Sequence, residues 1–260
     1  MLVRSWNLFH GNAVPPQRRS FLDEMIELAT EDEPDVLCVQ EVPAWALGRF
    51  TVGDVAARPS LGPLPSTAGI GKHVTGIHPG LLRSAFSGQG NAMLVAPALR
   101  VLSHEHLTLN PRRFRDAQAR KLGLGALARL AWRKERRIVQ AARLQAQDGR
   151  TFLVANTHCT SFPDRRIAQA ELLRAAWFAT STALPEDVVV LAGDFNLTAS
   201  SSAMRELTSP AWGFTGGGPG IDHVLVRGAT AGETLRWPTE RRRVDGRLLS
   251  DHAPVEVEVE

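Results

Sequence analysis

The chain has 260 residues, 43% of them hydrophobic and 22% charged, with a formal net charge of +3. These are globular proportions that exclude wholesale disorder and allow a large core. Two cysteines, Cys38 and Cys159, exclude a disulfide framework and a four-cysteine zinc site. No apolar run approaches the ~18 residues of a membrane span. The start, MLVRSWNLFHG, lacks a charged region leading into an apolar one, so no secretory signal is read and cytoplasmic residence is expected.

Leu2 to Leu8 reads as a first strand. A helix is expected over Ser20 to Thr30, where Ser20 with Asp23 fits a capping pattern and Phe21, Met25 and Leu28 recur at helical spacing. Asp35 to Val39 is a continuous apolar run after Pro34, the pattern of a fully buried strand. Residues 59–90, rich in Gly, Pro and Ser, read as a long loop. Asn91 to Ala96 and Leu99 to Leu107 read as a strand pair turned at Pro97. Arg137 to Gln147 and Arg150 to Asn156 read as a hairpin turned at Asp148-Gly149. Ile167, Ala170, Leu173 and Trp177 mark a helix from about Asp164 to Thr182. Val188 to Ala192 and Ile221 to Val226 are further strands, and Pro254 to Glu260 alternates Val with Glu as a half-wet antiparallel strand does. No repeat or composition break marks a boundary, so residues 1–260 read as a single α/β domain of packed, mostly antiparallel sheets with flanking helices.

Six polar clusters stand at the ends of these strands: Asn7, Gln40-Glu41, Asn156-Thr157-His158, Gly193-Asp194-Phe195-Asn196, Asp222-His223 and Ser250-Asp251-His252. Strand ends bring distant residues to one rim of a sheet stack. Alone, each cluster is also what a turn would use; six of them, each at a strand end, are not explained by turns. The set is rich in oxygen and poor in nitrogen, which suits a hard cation, Mg²⁺ or Mn²⁺, that keeps water and substrate phosphate in its shell.

The order WNLFHG, QE, NTH, GDFN, IDHVLV and SDHAPV resembles the endonuclease/exonuclease/phosphatase superfamily, with its deoxyribonuclease-I-like fold. The resemblance runs from Asn7 to the carboxyl terminus, with GDFN and SDHAPV its specific parts. It implies a four-layer α/β (α+β) sandwich, two mostly antiparallel central β-sheets flanked by α-helices, and metal-dependent phosphoester hydrolysis. Carried over, Glu41 would be the principal metal ligand with Asn7 beside it, and Asp251 would hold the metal or its waters. Asp194 would orient and activate the attacking water and Asn196 would hold the phosphoryl group. His252 and His158 would contact the phosphate, and Asp222 would fix the tautomer and favour the charged form of His252. Some abasic-site repair members use a tyrosine near the position of His158; this chain has none and is similar to the His-bearing branches.

The remaining feature is charge. Only Lys72, Lys121 and Lys134 are lysines among 30 basic residues. Pro111 to Arg137 holds ten basic residues against Asp116 and Glu135, a net +8 that leaves −5 for the rest of the chain. Leu122, Leu124, Leu127, Leu130 and Trp132 make the segment partly amphipathic, while Gly123 and Gly125 argue against one continuous helix. An insertion at 111–134 of this kind suits phosphate contacts to nucleic acid through Arg112, Arg113 and Arg115, an anionic membrane surface, or a solvated arm. The expected activity is therefore a phosphodiesterase or nuclease on DNA or RNA. A phospholipid, sphingolipid or small phosphoester substrate at the same site is the alternative, and a noncatalytic scaffold is the third reading. No obligate protein partner is evident. His10, His73, His78, His104, His106 and His223 read as surface or structural, Cys38 as core, and Trp132, Trp177 and Trp212 as packing residues.

Overall fold

The computed structural model describes residues 1–17, 19–50, 55–60, 89–133, 136–162 and 164–260. One six-stranded sheet contains β1 (Leu2–Asn7), β3 (Val36–Pro43), β4 (Val55–Ser60), β5 (Gln89–Val95), β12 (Leu235–Arg236) and β15 (Val255–Glu258), in the order β12-β15-β1-β3-β5-β4. The other contains β6 (Arg100–Thr108), β7 (Ile138–Gln145), β8 (Thr151–His158), β9 (Val188–Asp194), β10 (Thr215–Gly217) and β11 (Asp222–Arg227), in the order β10-β11-β9-β8-β7-β6. β1 runs parallel to β3 and β8 parallel to β9; the other pairings are antiparallel. A small sheet of β2 (Ala13–Val14), β13 (Arg243–Val244) and β14 (Arg247–Leu249) lies beside them.

The strand alternation explains the layering. On β8, Phe152 and Val154 face the other sheet, while Leu153 and Ala155 face helices. Val190 and Ala192 of β9, and Val224 and Val226 of β11, join the same inter-sheet layer, where they meet Val3, Val36, Cys38 and Met93. Outside the first sheet, α1 (Leu22–Thr30) packs Met25 and Ala29 on Trp6, Leu37 and Val39. Outside the second, α4 (Arg165–Thr182) and α5 (Ser202–Leu207) cover Leu153, Leu191 and Leu225. This is the four-layer sandwich, and each buried Val, Leu or Phe stabilises it by roughly 1.5–3 kcal/mol. Among the described residues no helix is long and apolar enough to cross a membrane.

Three expectations need correction. β5 and β6 do not pair across Pro97, because both edges of β5 are already taken by β3 and β4; the turn carries the chain into the other sheet, where β6 pairs with β7. Trp177 is not a packing residue: the inner face of α4 is Ile167, Ala168, Glu171, Leu172, Ala175 and Ala176, which leaves Trp177 54% exposed. Ser20 does not cap with Asp23: α1 begins at Leu22 with Phe21 at its N-cap position, and the Ser20 hydroxyl accepts the Leu22 N–H at 3.3 Å. Of the long loop read over 59–90, residues 61–88 lie outside the described residues, together with His73 and His78; Pro59 and Ser60 end β4, and Gln89 and Gly90 begin β5.

The basic segment forms two helices, α2 (Arg112–Lys121) and α3 (Ala126–Arg133). Gly123, at φ 64°, ends α2. Its N–H donates to the Arg120 carbonyl (3.2 Å) and the Leu124 N–H to the Ala119 carbonyl (2.9 Å), the paired closure that a left-handed glycine permits. Trp132 and Leu124 turn inward against Ile167 of α4, so part of the segment's apolar surface is spent on packing, and Leu127 and Leu130 face outward.

Candidate active site

At one end of the sandwich the inter-sheet face changes from apolar to polar without changing parity. Val3 is followed by Ser5 and Asn7, Cys38 by Gln40, Val154 by Asn156 and His158, and Ala192 by Asp194. Register aligns the polar ends: Asn7 lies opposite Gln40, and Asp194 lies between His158 and Asp222. Hydrogen bonds join the sheets there: Gln40 Nε2 donates to Asn156 Oδ1 at 2.8 Å, Asn7 Nδ2 to Asp194 Oδ2 at 2.9 Å, and Asn156 Nδ2 to the carbonyls of Val39 and Ala92 at 3.1 and 2.9 Å. Gln40 and Asn156 are fully buried and act as the clamp between sheets.

Local backbone features aim the remaining groups. β3 is irregular between Val39 and Val42, where Glu41 adopts φ 54°. By alternation Glu41 would point away with Leu37 and Val39; the bulge turns it into the cleft. Gly193 has φ 143°, and a Cβ there would lie 1.9 Å from the Thr157 carbonyl oxygen, so only glycine lets β9 approach β8 where Asp194 meets His158. Asn196, at φ 52°, is held by its own N–H on Asp194 Oδ1 (2.9 Å) and its amide on the Cys159 carbonyl (2.8 Å). The Ser250–His252 turn is tied to β1 through the Ser250 hydroxyl, which donates to the Asn7 carbonyl at 2.7 Å and accepts the His252 N–H at 3.0 Å. Buried Arg242 and Trp6 both donate to the His252 carbonyl, at 2.7 and 3.0 Å.

The two imidazoles differ in charge. His252 Nδ1 sits 2.9 Å from Asp222 Oδ2 and its Nε2 3.8 Å from Asp194 Oδ2. Burial opposes its charged form, but the hydrogen bond and charge of Asp222, with Asp194 and Asp251 nearby, raise its pKa to about 10. His158 is pushed well below the ordinary histidine range by burial and by the nearby charges of Arg137, His252 and His10. Arg137 Nη1 lies 2.9 Å from His158 Nδ1, and a guanidinium only donates. Neutral His158 therefore carries its proton on Nε2, which is 3.5 Å from Asp194 and 3.8 Å from Glu41. Burial and the Asp222 charge raise Asp194 to about 7 against the pull of His252 and Asn7. Burial likewise raises Glu41 to about 7, opposed chiefly by Arg137 and His252.

His10 and Arg137 join this cluster without a motif of their own. His10 is buried and its Nε2 lies 3.0 Å from Glu41 Oε2, which overturns its reading as a surface residue. It follows Asn7 by three positions in the same segment, and that proximity is its signal. Arg137 closes the basic run, and Asn110 Oδ1 accepts its N–H at 2.9 Å, which brings the start of α2 to the rim. Arg112, Arg113 and Arg115 do not enter the cluster. Arg112 is 89% exposed with Asp116 at 3.7 Å, Arg113 is exposed, and Arg115 donates to the Asn110 carbonyl at 2.8 Å. Burial and the like charges of Arg133, Arg136 and Arg112 lower the Arg115 pKa, so these arginines crowd one another. His223 is structural, buried against Phe195 with Nε2 2.7 Å from the Leu197 carbonyl.

The donors fit a hard divalent cation. Asp194, Asp222 and His252 offer atoms within 4.8 Å of one another, but His252 is already committed to Asp222. Glu41, the Asn7 amide oxygen and half-exposed Asp251 are the oxygen-rich alternative; among the described residues the Asn7 oxygen accepts only the Phe9 N–H, at 3.0 Å, which leaves it a second lone pair. A buried carboxylate raised to about 7 is one whose charge lacks sufficient compensation, which a cation would supply.

Residues 5–252 match the Endonuclease/Exonuclease/phosphatase family. A probable CCR4-Not complex 3'-5'-exoribonuclease subunit Ccr4 from Encephalitozoon cuniculi is 32% identical over 94 residues, which are 35% of this chain and 19% of that protein. Among solved structures, a conserved protein of unknown function from Enterococcus faecalis V583 superposes with TM-score 0.68 at 16% identity, covering 100% of this chain and 99% of that one. D. rerio TDP2 complexed with single strand DNA product superposes with TM-score 0.64 at 13% identity, covering 100% and 98%. At these identities the superpositions establish the fold, and the family match takes in every strand-end cluster. The chain belongs to the Endonuclease/Exonuclease/phosphatase family, whose members are hydrolases of phosphoester bonds.

Proposed function

We propose that residues 1–260 act as one catalytic domain, with the 111–134 insertion at its rim, that hydrolyses phosphodiester bonds in nucleic acid by in-line attack of an activated water. The observation that carries this reading is the meeting of Asn7 and Glu41 from one sheet with His158, Asp194 and the Asp222–His252 pair at the end of the other. Mg²⁺ or Mn²⁺, bound through Glu41 with Asn7 and Asp251, would neutralise charge on the non-bridging phosphate oxygens. Asp194, raised to about 7, is poised to accept the proton of the attacking water. The neutral His158 Nε2–H and the amide of Asn196 donate to the phosphoryl oxygens. Cationic His252, held by Asp222, donates to the phosphate and to the leaving oxygen as charge develops there.

The positive charge of Arg112, Arg115, Arg133 and Arg136 suits a polyanionic substrate. The Ccr4 relative is described as an exoribonuclease and the TDP2 structure holds a single strand DNA product, both in keeping with this substrate class. The test is hydrolysis by purified protein in Mg²⁺ of single-stranded DNA, RNA, duplex DNA, a phosphomonoester and sphingomyelin vesicles. Cleavage of a polynucleotide at the highest kcat/KM is expected; preference for the vesicles or the monoester would move the substrate to the alternative class.

A further inference from the structure

A cleft of about 570 Å³ lies between α2 and α4, outside the catalytic cluster. Its volume suits a ligand the size of a nucleotide. One end is lined by Arg166, Gln169 and Ser202. These belong to the segments that follow His158 on β8 and Asp194 on β9. Gln169 Oε1 accepts from the Ser202 hydroxyl, which closes that end. The far end is Trp177, eleven residues beyond Arg166 and so roughly 16 Å along the helix. The cleft thus opens among the segments that continue from those two strand ends.

Its walls combine two chemistries. Leu122, Leu173 and Phe114 provide apolar surface, and Trp177 presents an exposed indole to it. Phe114 is fixed from behind by edge-to-face contact with Trp132 at 6.3 Å. Lys121 and Arg174 add positive charge. The Arg174 guanidinium lies over the Phe114 ring at 4.9 Å, and its buried Nε finds no hydrogen-bond partner among the described residues. Arg174 lines the cleft, so its charge is available to an anionic oxygen there. Cationic groups interleaved with an exposed aromatic face suit a polynucleotide whose bases are unpaired, because every base offers a π-face and every linkage a phosphate.

We propose that this cleft is a subsite for a single-stranded stretch of the polynucleotide, with Trp177 stacking on a base and Lys121 and Arg174 taking phosphates. The proposal rests on the nucleic-acid reading of the active site. A short labelled single strand of DNA and its duplex form would be titrated by fluorescence anisotropy, with EDTA present to prevent cleavage. Trp177→Ala and Lys121→Glu change exposed side chains and should fold. Each is expected to weaken single-strand binding about tenfold. Trp177→Phe should keep most of the affinity while losing the tryptophan quenching that the strand causes in the wild type. Arg150→Glu, on the distant hairpin, should bind as the wild type does.

Unchanged affinity in both Trp177→Ala and Lys121→Glu overturns the subsite. If the wild type still cuts the same strand in Mg²⁺, the proposed function survives that result. A wild type that neither binds nor cuts any polynucleotide overturns both.

Discussion

Asn7 at the end of β1 and Asp194 at the end of β9 are joined by a 2.9 Å hydrogen bond across the interface of the two sheets. The active cluster is therefore assembled by sheet packing, and the geometry around the proposed water-activating carboxylate depends on the relative placement of both layers. Substitutions that separate the strands should damage the site as well as the fold.

Gly193→Ala tests that link. Its Cβ would sit 1.9 Å from the Thr157 carbonyl oxygen, so β8 and β9 must part where His158 faces Asp194. A loss of about 3 kcal/mol is expected, at the upper end of ordinary single substitutions. For a chain of this size that lowers the melting temperature by roughly 6–12 °C. Calorimetry gives the stability change, and hydrolysis measured below the melting temperature should fall with it.

Asp222→Asn separates the charge on His252 from its position. The raised His252 pKa of about 10 keeps the wild-type imidazole charged throughout the neutral range. Without the carboxylate its pKa falls, and the charge is lost as pH rises through a lower value. The variant should lose activity steeply between about pH 6 and 8, where the wild-type His252 does not titrate. At pH 8 kcat/KM should fall roughly 10²–10³-fold. A pH profile of both proteins checks the shape as well as the size.

Much of this cluster is legible in the sequence because the strands keep their parity to the end: an inward Val or Cys is followed two places on by an inward Asn, Gln, His or Asp. Glu41 breaks that rule, since its orientation comes from a bulge that no periodicity reveals. His10 enters from a turn at φ 55° and Arg137 from the end of an insertion, so neither shows a strand pattern. The layers follow from alternation, whereas the passage from β5 to β6 depends on β4 occupying the free edge of β5, which is a long-range fact. The spacing of Trp177 places it with Ile167, but the inner face of α4 carries Ala168, Ala175 and Ala176, small side chains that fit close to the sheet.

The amino-terminal strand carries a second testable relationship. Fully buried Arg4 pairs with Asp32 at 2.7 Å and Glu256 at 2.6 Å and lies over the Trp237 ring at 4.5 Å. Arg4→Met should cost about 3–5 kcal/mol by leaving the Glu256 carboxylate without its partner. The Arg4 hydrogen bond holds the Asp32 carboxyl well below the usual carboxylate range. Its contribution is complete above the unfolded pKa and is lost as pH falls toward the depressed folded value. Urea denaturation at pH 7 and pH 3 should show a smaller pH effect in the variant than in the wild type.

Replacing Arg112, Arg113 and Arg115 together by Glu should weaken polynucleotide binding. It should also flatten the dependence of log K on log salt by roughly 0.7–0.9 for each phosphate contact removed. Titrations at several salt concentrations measure both. Equal slopes for wild type and variant would take these arginines off the substrate path.

Hydrolysis of a labelled polynucleotide by wild type and Asp194→Asn, each in Mg²⁺, in Mn²⁺ and in EDTA, probes the metal and the water-activating carboxylate together. Metal-dependent attack by a water that Asp194 activates predicts cleavage by the wild type with either metal, none in EDTA, and a loss of at least about 10² in rate for the variant. Cleavage that persists in EDTA, or an Asp194→Asn enzyme as fast as the wild type, would contradict it.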